Sequence, residues 1–260
     1  MNLEGIQIMR KSYLYLLPLL IVFAGSIISA TFKDEQQKYP RVRKARENKE
    51  AVVKSYFGKE NITYPPYKIF LRAFKKEREL ELWATNGDSL KFKLIKTFRF
   101  TANSGRLGPK RFRGDRQIPE GFYYIDRFNP NSRFHLSFGI NYPNKSDKIR
   151  KLKDDPGDNI FVHGSWVTIG CIPIGDNFIE ELYIIAVDTK SNGQNKIPVH
   201  IFPCRMDNPD NQHLMSLYSK NSPKLESFWK EIQKGYDYFE LNNLLPQMII
   251  DNKGNYLFKE

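Results

Sequence analysis

Apolar and polar positions change period several times along this chain. Residues 12–30 form an apolar run with no ionisable acid or base other than tyrosines, preceded by Arg10 and Lys11. A positive flank before such a run reads as an export signal, and its length approaches the roughly 20 residues that span a bilayer. Cleavage near Gly25, Ser26, Ser29 and Ala30 and retention as an anchor are both open. Residues 33–64 are charged and polar, with helical composition around 49–57, and predict a linker with a short helix. Gly58 and Pro65-Pro66 punctuate the passage from this linker into a strand-rich region.

From there the period shortens to two. Residues 67–74 predict a strand with Phe70, Arg72 and Phe74 on one face, and residues 79–83 alternate as a second. Asn86-Gly-Asp88 then predicts a hairpin turn back into a strand over 90–98. Residues 104–121, rich in glycine, proline and basic side chains, predict a long loop, and such loops in compact domains are more often functional than idle. Short strands are expected at 134–138 and 159–163. Asp176 predicts an N-cap for a helix that buries Ile179, Leu182, Tyr183 and Ala186. Ser222-Pro223 predicts a second helix, 224–234, with Leu225, Phe228, Trp229 and Ile232 on one face and a stop at Gly235. Residues 247–258 predict a closing hairpin. The fold class is therefore α+β and β-rich, with peripheral helices.

Composition adds partners to this outline. Lys and Arg number 41 against 29 acids, a net charge of +12, which favours polyanionic surroundings. The basic residues are spread along the chain, which argues against nucleic acid. No CxxC or HExxH occurs and the histidines are scattered at 135, 163, 200 and 213, so neither metal nor cofactor is expected. Of the two cysteines, Cys204 lies in an apolar run and reads as core packing. Cys171 is different. It follows His163-Gly164 by eight residues and closes the tetrapeptide Thr168-Ile-Gly-Cys171. A thiol attacks as thiolate, and a neighbouring imidazole is a common means of generating one. A lone cysteine is nonetheless more often a small buried hydrophobe, and a Cys171–Cys204 disulfide would silence the nucleophile.

The stretch resembles the YkuD-type L,D-transpeptidase domain of bacterial cell-wall enzymes, whose signature is His-Gly followed by Ser/Thr-x-Gly-Cys. It is most similar to the YafK-type branch, where the spacing from His to Cys is short. Supporting stretches occur in one order: residues 104–110, Gly114-Asp115, 118–123, 129–138, 141–144, 197–203, and Phe228-Trp229 with 235–240. The resemblance covers roughly residues 65–245 and implies a β-sandwich catalytic domain there. It would lie between the signal or anchor (1–32) with its linker (33–64) and a C-terminal hairpin extension (246–260).

The resemblance implies that Cys171 attacks the carbonyl of a diaminopimelate residue in a peptidoglycan stem peptide, with His163 as base. Gly170, Gly164 and Thr168 would shape the oxyanion loop, backbone N–H groups near Gly170 and Cys171 facing the developing charge. A backbone carbonyl near 164–166 would hold the imidazole. Lys110, His135, Ser137, Tyr142 and Ser165 are the implied substrate contacts. Where most of the family has Arg two residues after the cysteine, this chain has Pro173. Arg106, Arg111 and Arg113 are candidates to meet stem-peptide carboxylates in its place. The acceptor stays open: an amine gives a crosslink, water gives carboxypeptidase or endopeptidase action, and an amidase releasing a wall-linked protein would share the thioester. A non-catalytic wall-binding module is the reading from another class. The implied location is the cell envelope, or periplasm, with the N-terminal run as the segment that would contact a membrane.

Overall fold

A computed structural model describes residues 30–87 and 90–259. The N-terminal apolar run lies outside the described residues but for its last member, and so does part of the predicted turn at 86–88. Among the described residues no helix is long and apolar enough to cross a membrane.

The elements in order are α1 (Phe32–Gln37), α2 (Pro40–Lys59), β1 (Lys68–Phe74), β2 (Glu79–Thr85), β3 (Lys93–Arg99), β4 (Gly121–Asn129), β5 (Ser137–Ile140), α3 (Lys145–Ile149), β6 (Phe161–His163), β7 (Ile172–Pro173), α4 (Asp176–Ser191), β8 (Pro198–Phe202), α5 (Pro209–Ser219), α6 (Pro223–Asn242), β9 (Met248–Ile250) and β10 (Tyr256–Phe258). Eight strands form one mixed sheet in the order β3-β2-β1-β8-β4-β5-β6-β7, and β9 and β10 pair apart from it. β4 belongs to both halves of the large sheet. Its first part, Gly121 to Tyr124, pairs with β8. Its second part, from Ile125 on, pairs with β5 across a register shift between Ile125 and Arg127. Bulges of this kind bend and twist a sheet, and here the bend separates the β1-β2-β8 half from the short strands β5, β6 and β7.

The period-two pattern of β1 sorts its side chains onto two faces. Ile69, Leu71 and Ala73 enter the main core with α2 and α4. Phe74 joins Trp229, Ile232 and Tyr236 of α6, and Phe70 meets Phe239. Arg72, predicted on that second face, is buried there and paired with Glu81 at 3.0 Å and Glu240 at 2.7 Å. The chain is thus α+β, a curled sheet with helices on both faces, as its pattern predicts.

Four local expectations are corrected. Residues 33–64 are not a linker with one short helix. α1 and α2 pack on α4, with Val42, Ala45, Val53 and Phe57 fully buried. Arg46 reaches Asp188 of α4 through a two-pronged contact at 2.9 and 2.6 Å. That apolar stripe is narrow in a helix otherwise made of charges, so composition masks it. The strand expected at 134–138 begins only at Ser137, because His135 has φ +69° and turns the chain. The N-cap of α4 is Gly175, and Asp176 is the first helical residue. The helix expected to stop at Gly235 runs on to Asn242. A Cβ at Gly235 would lie 2.6 Å from the Phe258 ring and 2.7 Å from the Phe122 ring. This glycine is a place of close approach rather than a stop, and it seats the C-terminal hairpin on β4.

Candidate active site

β6 and β7 run parallel, Val162 opposite Ile172 and His163 opposite Pro173. Continuing that register by one residue sets Cys171 opposite Phe161, two residues from His163 on the same face of the sheet. The sequence spacing of eight becomes one diagonal step across neighbouring strands, about 7–8 Å between Cα atoms. On the other side of β6, Ser137 pairs with His163. The structure thus brings His163, Cys171 and Ser137 together.

The imidazole of His163 is buried, with the Phe134 ring 4.6 Å away and tilted by 31°. Its Nδ1 lies 2.5 Å from the carbonyl oxygen of Gly164. A carbonyl can only accept, so Nδ1 carries the proton and Nε2 keeps the free lone pair a base requires. This is the backbone carbonyl expected near 164–166. Burial pushes the His163 pKa below its usual 6.5, against the opposing pull of the Gly164 carbonyl. The ring therefore rests neutral at pH 7.

Burial likewise pushes the Cys171 thiol up, opposed by a hydrogen bond from the Phe161 backbone and by the charge of Lys110. Its Sγ lies 3.8 Å from the Asn159 carbonyl oxygen. Both cysteines are free, so no disulfide ties up the Cys171 thiol. The resting pair is thiol and neutral imidazole, an arrangement from which base-assisted attack by a thiol can start.

The loop between them is held from several sides. Gly164 donates its N–H to the Leu136 carbonyl at 3.2 Å. Ser165, with φ +63°, donates its N–H to Asp176 Oδ1 at 2.7 Å, and its carbonyl accepts from Thr101 Oγ1 at 2.8 Å. Gly170 has φ +140°, a conformation open to glycine and strained for other residues, and a Cβ there would stand 3.0 Å from the Gln117 carbonyl oxygen. Thr168 Oγ1 accepts from Gly170 N at 3.1 Å and from Cys171 N at 2.8 Å, and donates to the Cys171 carbonyl at 2.8 Å. The two N–H groups expected to face an oxyanion are therefore occupied by the threonine hydroxyl at rest. Trp166 and Ile169 are 72% and 77% exposed, so an apolar rim borders Cys171.

The remaining implied substrate contacts scatter. His135 turns to Glu180 of α4, with Nε2 to Oε1 at 2.8 Å. Tyr142 is buried in the main core and donates to the Pro156 carbonyl at 2.9 Å, which takes it out of any cleft. Lys110 is buried too, its ammonium held by Asp115 at 2.7 Å and the Phe112 carbonyl at 2.9 Å. It acts on Cys171 through charge, not from the surface. Arg111 pairs with Asp147, and Arg113 with Asp155 and Asp158. Of the basic residues proposed to replace the missing arginine, Arg106 alone has no carboxylate partner among the described residues.

Sequence reasoning did not find Phe134 against the imidazole, Asp176 and Thr101 on the loop, or Asp115 under Lys110. Only Asp115 carried a signal, the Gly114-Asp115 pair, whose carboxylate collects the N–H groups of Arg111, Phe112 and Gln117.

The family model described as YkuD, the L,D-transpeptidase catalytic domain, matches residues 70–201. YafK of Escherichia coli (strain K12), provisionally named an L,D-transpeptidase, is 31% identical over 192 residues, 73% of this chain and 73% of that protein. Among solved structures, the helical cell shape determining protein Pgp2 from Campylobacter jejuni aligns with a TM-score of 0.41 and 15% identity. The alignment covers 71% of this chain and 73% of that one. Bd1075 from Bdellovibrio bacteriovorus aligns at 0.40 and 17%, covering 73% and 79%.

Proposed function

The chain belongs to the YkuD family of L,D-transpeptidase catalytic domains, and from that premise we propose that it is a cysteine acyltransferase acting on peptidoglycan stem peptides in the cell envelope. The observation that carries this reading is the His163 tautomer, with Nδ1 tied to the Gly164 carbonyl and Nε2 left to take a proton, one diagonal from Cys171.

In the proposed reaction the Cys171 thiol gives its proton to His163 Nε2 as Sγ attacks the carbonyl carbon of a diaminopimelate residue. The tetrahedral oxyanion takes the place of the Thr168 hydroxyl before the N–H groups of Gly170 and Cys171, where each such donor supplies about 3–4 kcal/mol of transition-state stabilisation. Collapse expels the leaving amine, which receives the proton from His163, and leaves an acyl-thioester. An incoming amine or water then gives its proton to the same nitrogen and releases the thiol.

The second reading, favoured by Pro173, is a hydrolase of the same fold. At that position the chain offers a buried ring instead of the arginine most of the family carries, so the site has one charged group fewer with which to hold the donor's carboxylate. Release of a wall-linked protein through the same thioester belongs with this reading.

Incubation of purified protein with sacculi, followed by chromatography and mass analysis of the muropeptides, tests both. New crosslinks support transfer, and shortened stems or lost crosslinks support hydrolysis. Either change persisting in Cys171→Ala would overturn the cysteine mechanism.

A further inference from the structure

A groove of about 1000 Å³ runs along the far side of the loop that backs the nucleophile. The 104–117 loop forms one wall, the residues after α3 a second, and the start of α6 the third. Cys171 and His163 are not among its lining residues. The connection to them is Gln117, whose backbone carbonyl closes on Gly170 while its side-chain Oε1 accepts from Arg106 N at 3.0 Å.

Two features define what would fit. The floor is apolar and aromatic: Leu107, Phe112, Leu225 and Phe228 line it, and Leu152 is 69% exposed at its edge. The guanidinium groups of Arg111 and Arg150 lie over the Phe228 ring at 4.8 and 5.3 Å, their charges met by Asp147 and Glu231. The rim is different. Arg106, Lys151 and Lys224 are exposed, and among the described residues none faces a carboxylate; Lys151 donates only to the Asp154 carbonyl.

An apolar floor between uncompensated cations is complementary to a chain that carries both hydrophobic side chains and carboxylates. A glycan strand offers neither in that combination, and a stem peptide offers carboxylates with little to bury on Leu107, Phe112 and Leu225. We propose that this groove is an exosite for an acidic, partly apolar polypeptide segment of a partner protein. Its occupant is separate from the group acylated on Cys171, so the inference does not rest on the transpeptidase reading. A partner held there would raise the local concentration of whatever it carries beside the nucleophile.

The test is fluorescence anisotropy with the full chain and a labelled peptide of about ten residues that alternates short Leu/Phe and Glu runs, against a counterpart with Lys for each Glu. The acidic peptide is expected to bind at about 0.15 M salt, where charge interactions reach about 8 Å, and to weaken severalfold as salt is raised. The double variant Arg106→Glu with Lys224→Glu should weaken it about tenfold or more, and Leu152→Ser about threefold. Both sets of changes are at exposed positions, and an unchanged circular-dichroism melt confirms folding. Cys171→Ala should bind like the parent, which separates failure of this inference from failure of the catalytic reading. Equal binding of the basic peptide, no binding of the acidic one, or indifference to the charge reversal would overturn the proposal. So would displacement of the peptide by soluble stem-peptide fragments at comparable concentration, which would return the groove to the wall substrate.

Discussion

The molecule holds two regions where a histidine precedes a cysteine on or near a strand, and they differ in nearly everything that matters for reactivity. His163 and Cys171 sit on β6 and at the start of β7, at one end of the sheet. His200 lies on β8, in the middle of the sheet, with Cys204 two residues past the strand's end. The His200 ring is packed by Phe70 at 4.5 Å and Phe122 at 4.6 Å, and burial together with the charge of Arg72 pushes its pKa down to about 3. Burial, with Glu77 and Glu120 nearby, pushes the Cys204 thiol up to about 12. Burial raises both thiols, but the charges around them differ: Lys110 alone acts on Cys171, whereas near Cys204 the carboxylates of Glu77 and Glu120 each outweigh Lys76. Proximity of a thiol and an imidazole in sequence is thus not enough. The pair also needs a cation that nearby carboxylates do not outweigh, a fixed tautomer and an open side.

The sharpest way to break this comparison is to remove each thiol. Cys171→Ala is expected to cost about 10³-fold or more in muropeptide turnover, as loss of a nucleophile does, whereas Cys204→Ala stays within about twofold and costs about 1 kcal/mol of stability. Comparable losses from both would erase the distinction. Next in size is His163→Gln, with an expected loss of about 10²–10⁴-fold. In the parent enzyme the acid limb of kcat/KM should fall below pH 6.5, because His163 must be neutral to act and its pKa is depressed. An acid limb above 6.5 would mean the imidazole is not the buried base described.

Thr168→Val should lower activity roughly tenfold, since two loop N–H groups lose their acceptor and an unmade hydrogen bond costs about 1–3 kcal/mol. Thr168→Ser should restore most of it, and a valine variant as active as the parent would show that the hydroxyl does not hold the loop. The last prediction concerns His200→Phe, read as stability and not as activity. With a folded pKa of about 3 against 6.5 unfolded, His200 leaves the folded state one proton short between those values. The parent therefore loses about 1.4 kcal/mol per pH unit from this group as pH falls from 6.5 towards 3. Urea unfolding at pH 7, 6, 5 and 4 should show a slope shallower by that amount in the variant, and equal slopes would put His200 in contact with solvent.

How far the sequence spoke depends on physical range. Strand alternation is local, so β1, β2, β3 and the β9–β10 hairpin were legible almost to their ends. His163 and Cys171 were legible because their motif encodes a loop whose length sets the crossing between adjacent parallel strands. The carbonyl partner of His163 was also legible, being the next residue. What was not legible depends on contacts across the fold. Pairing of Arg46 with Asp188 makes α2 part of the domain, and nothing in its charged sequence announces that. The occupation of the Gly170 and Cys171 N–H groups by Thr168 needs a specific side-chain rotamer, which spacing cannot supply. Lys110 and Tyr142 are substrate contacts by resemblance alone, and no sequence pattern shows that Asp115 and the Pro156 carbonyl satisfy them inside.

The two roles of β4 carry a consequence for how the molecule breathes. β5, β6 and β7 are four, three and two residues long, and they join the longer strands through the bent second part of β4. Such a segment has few ladder bonds of its own, so burial is what holds it: Phe138, Ile140, Val162 and Ile172 all lie in the main core with residues of β1, β2 and β8, and its opening would expose that core. Both candidate catalytic side chains sit on that segment, His163 on β6 and Cys171 at the threshold of β7. The shortest strands of the sheet thus carry the candidate site, and the core beneath them, more than their ladder, fixes where His163 and Cys171 stand.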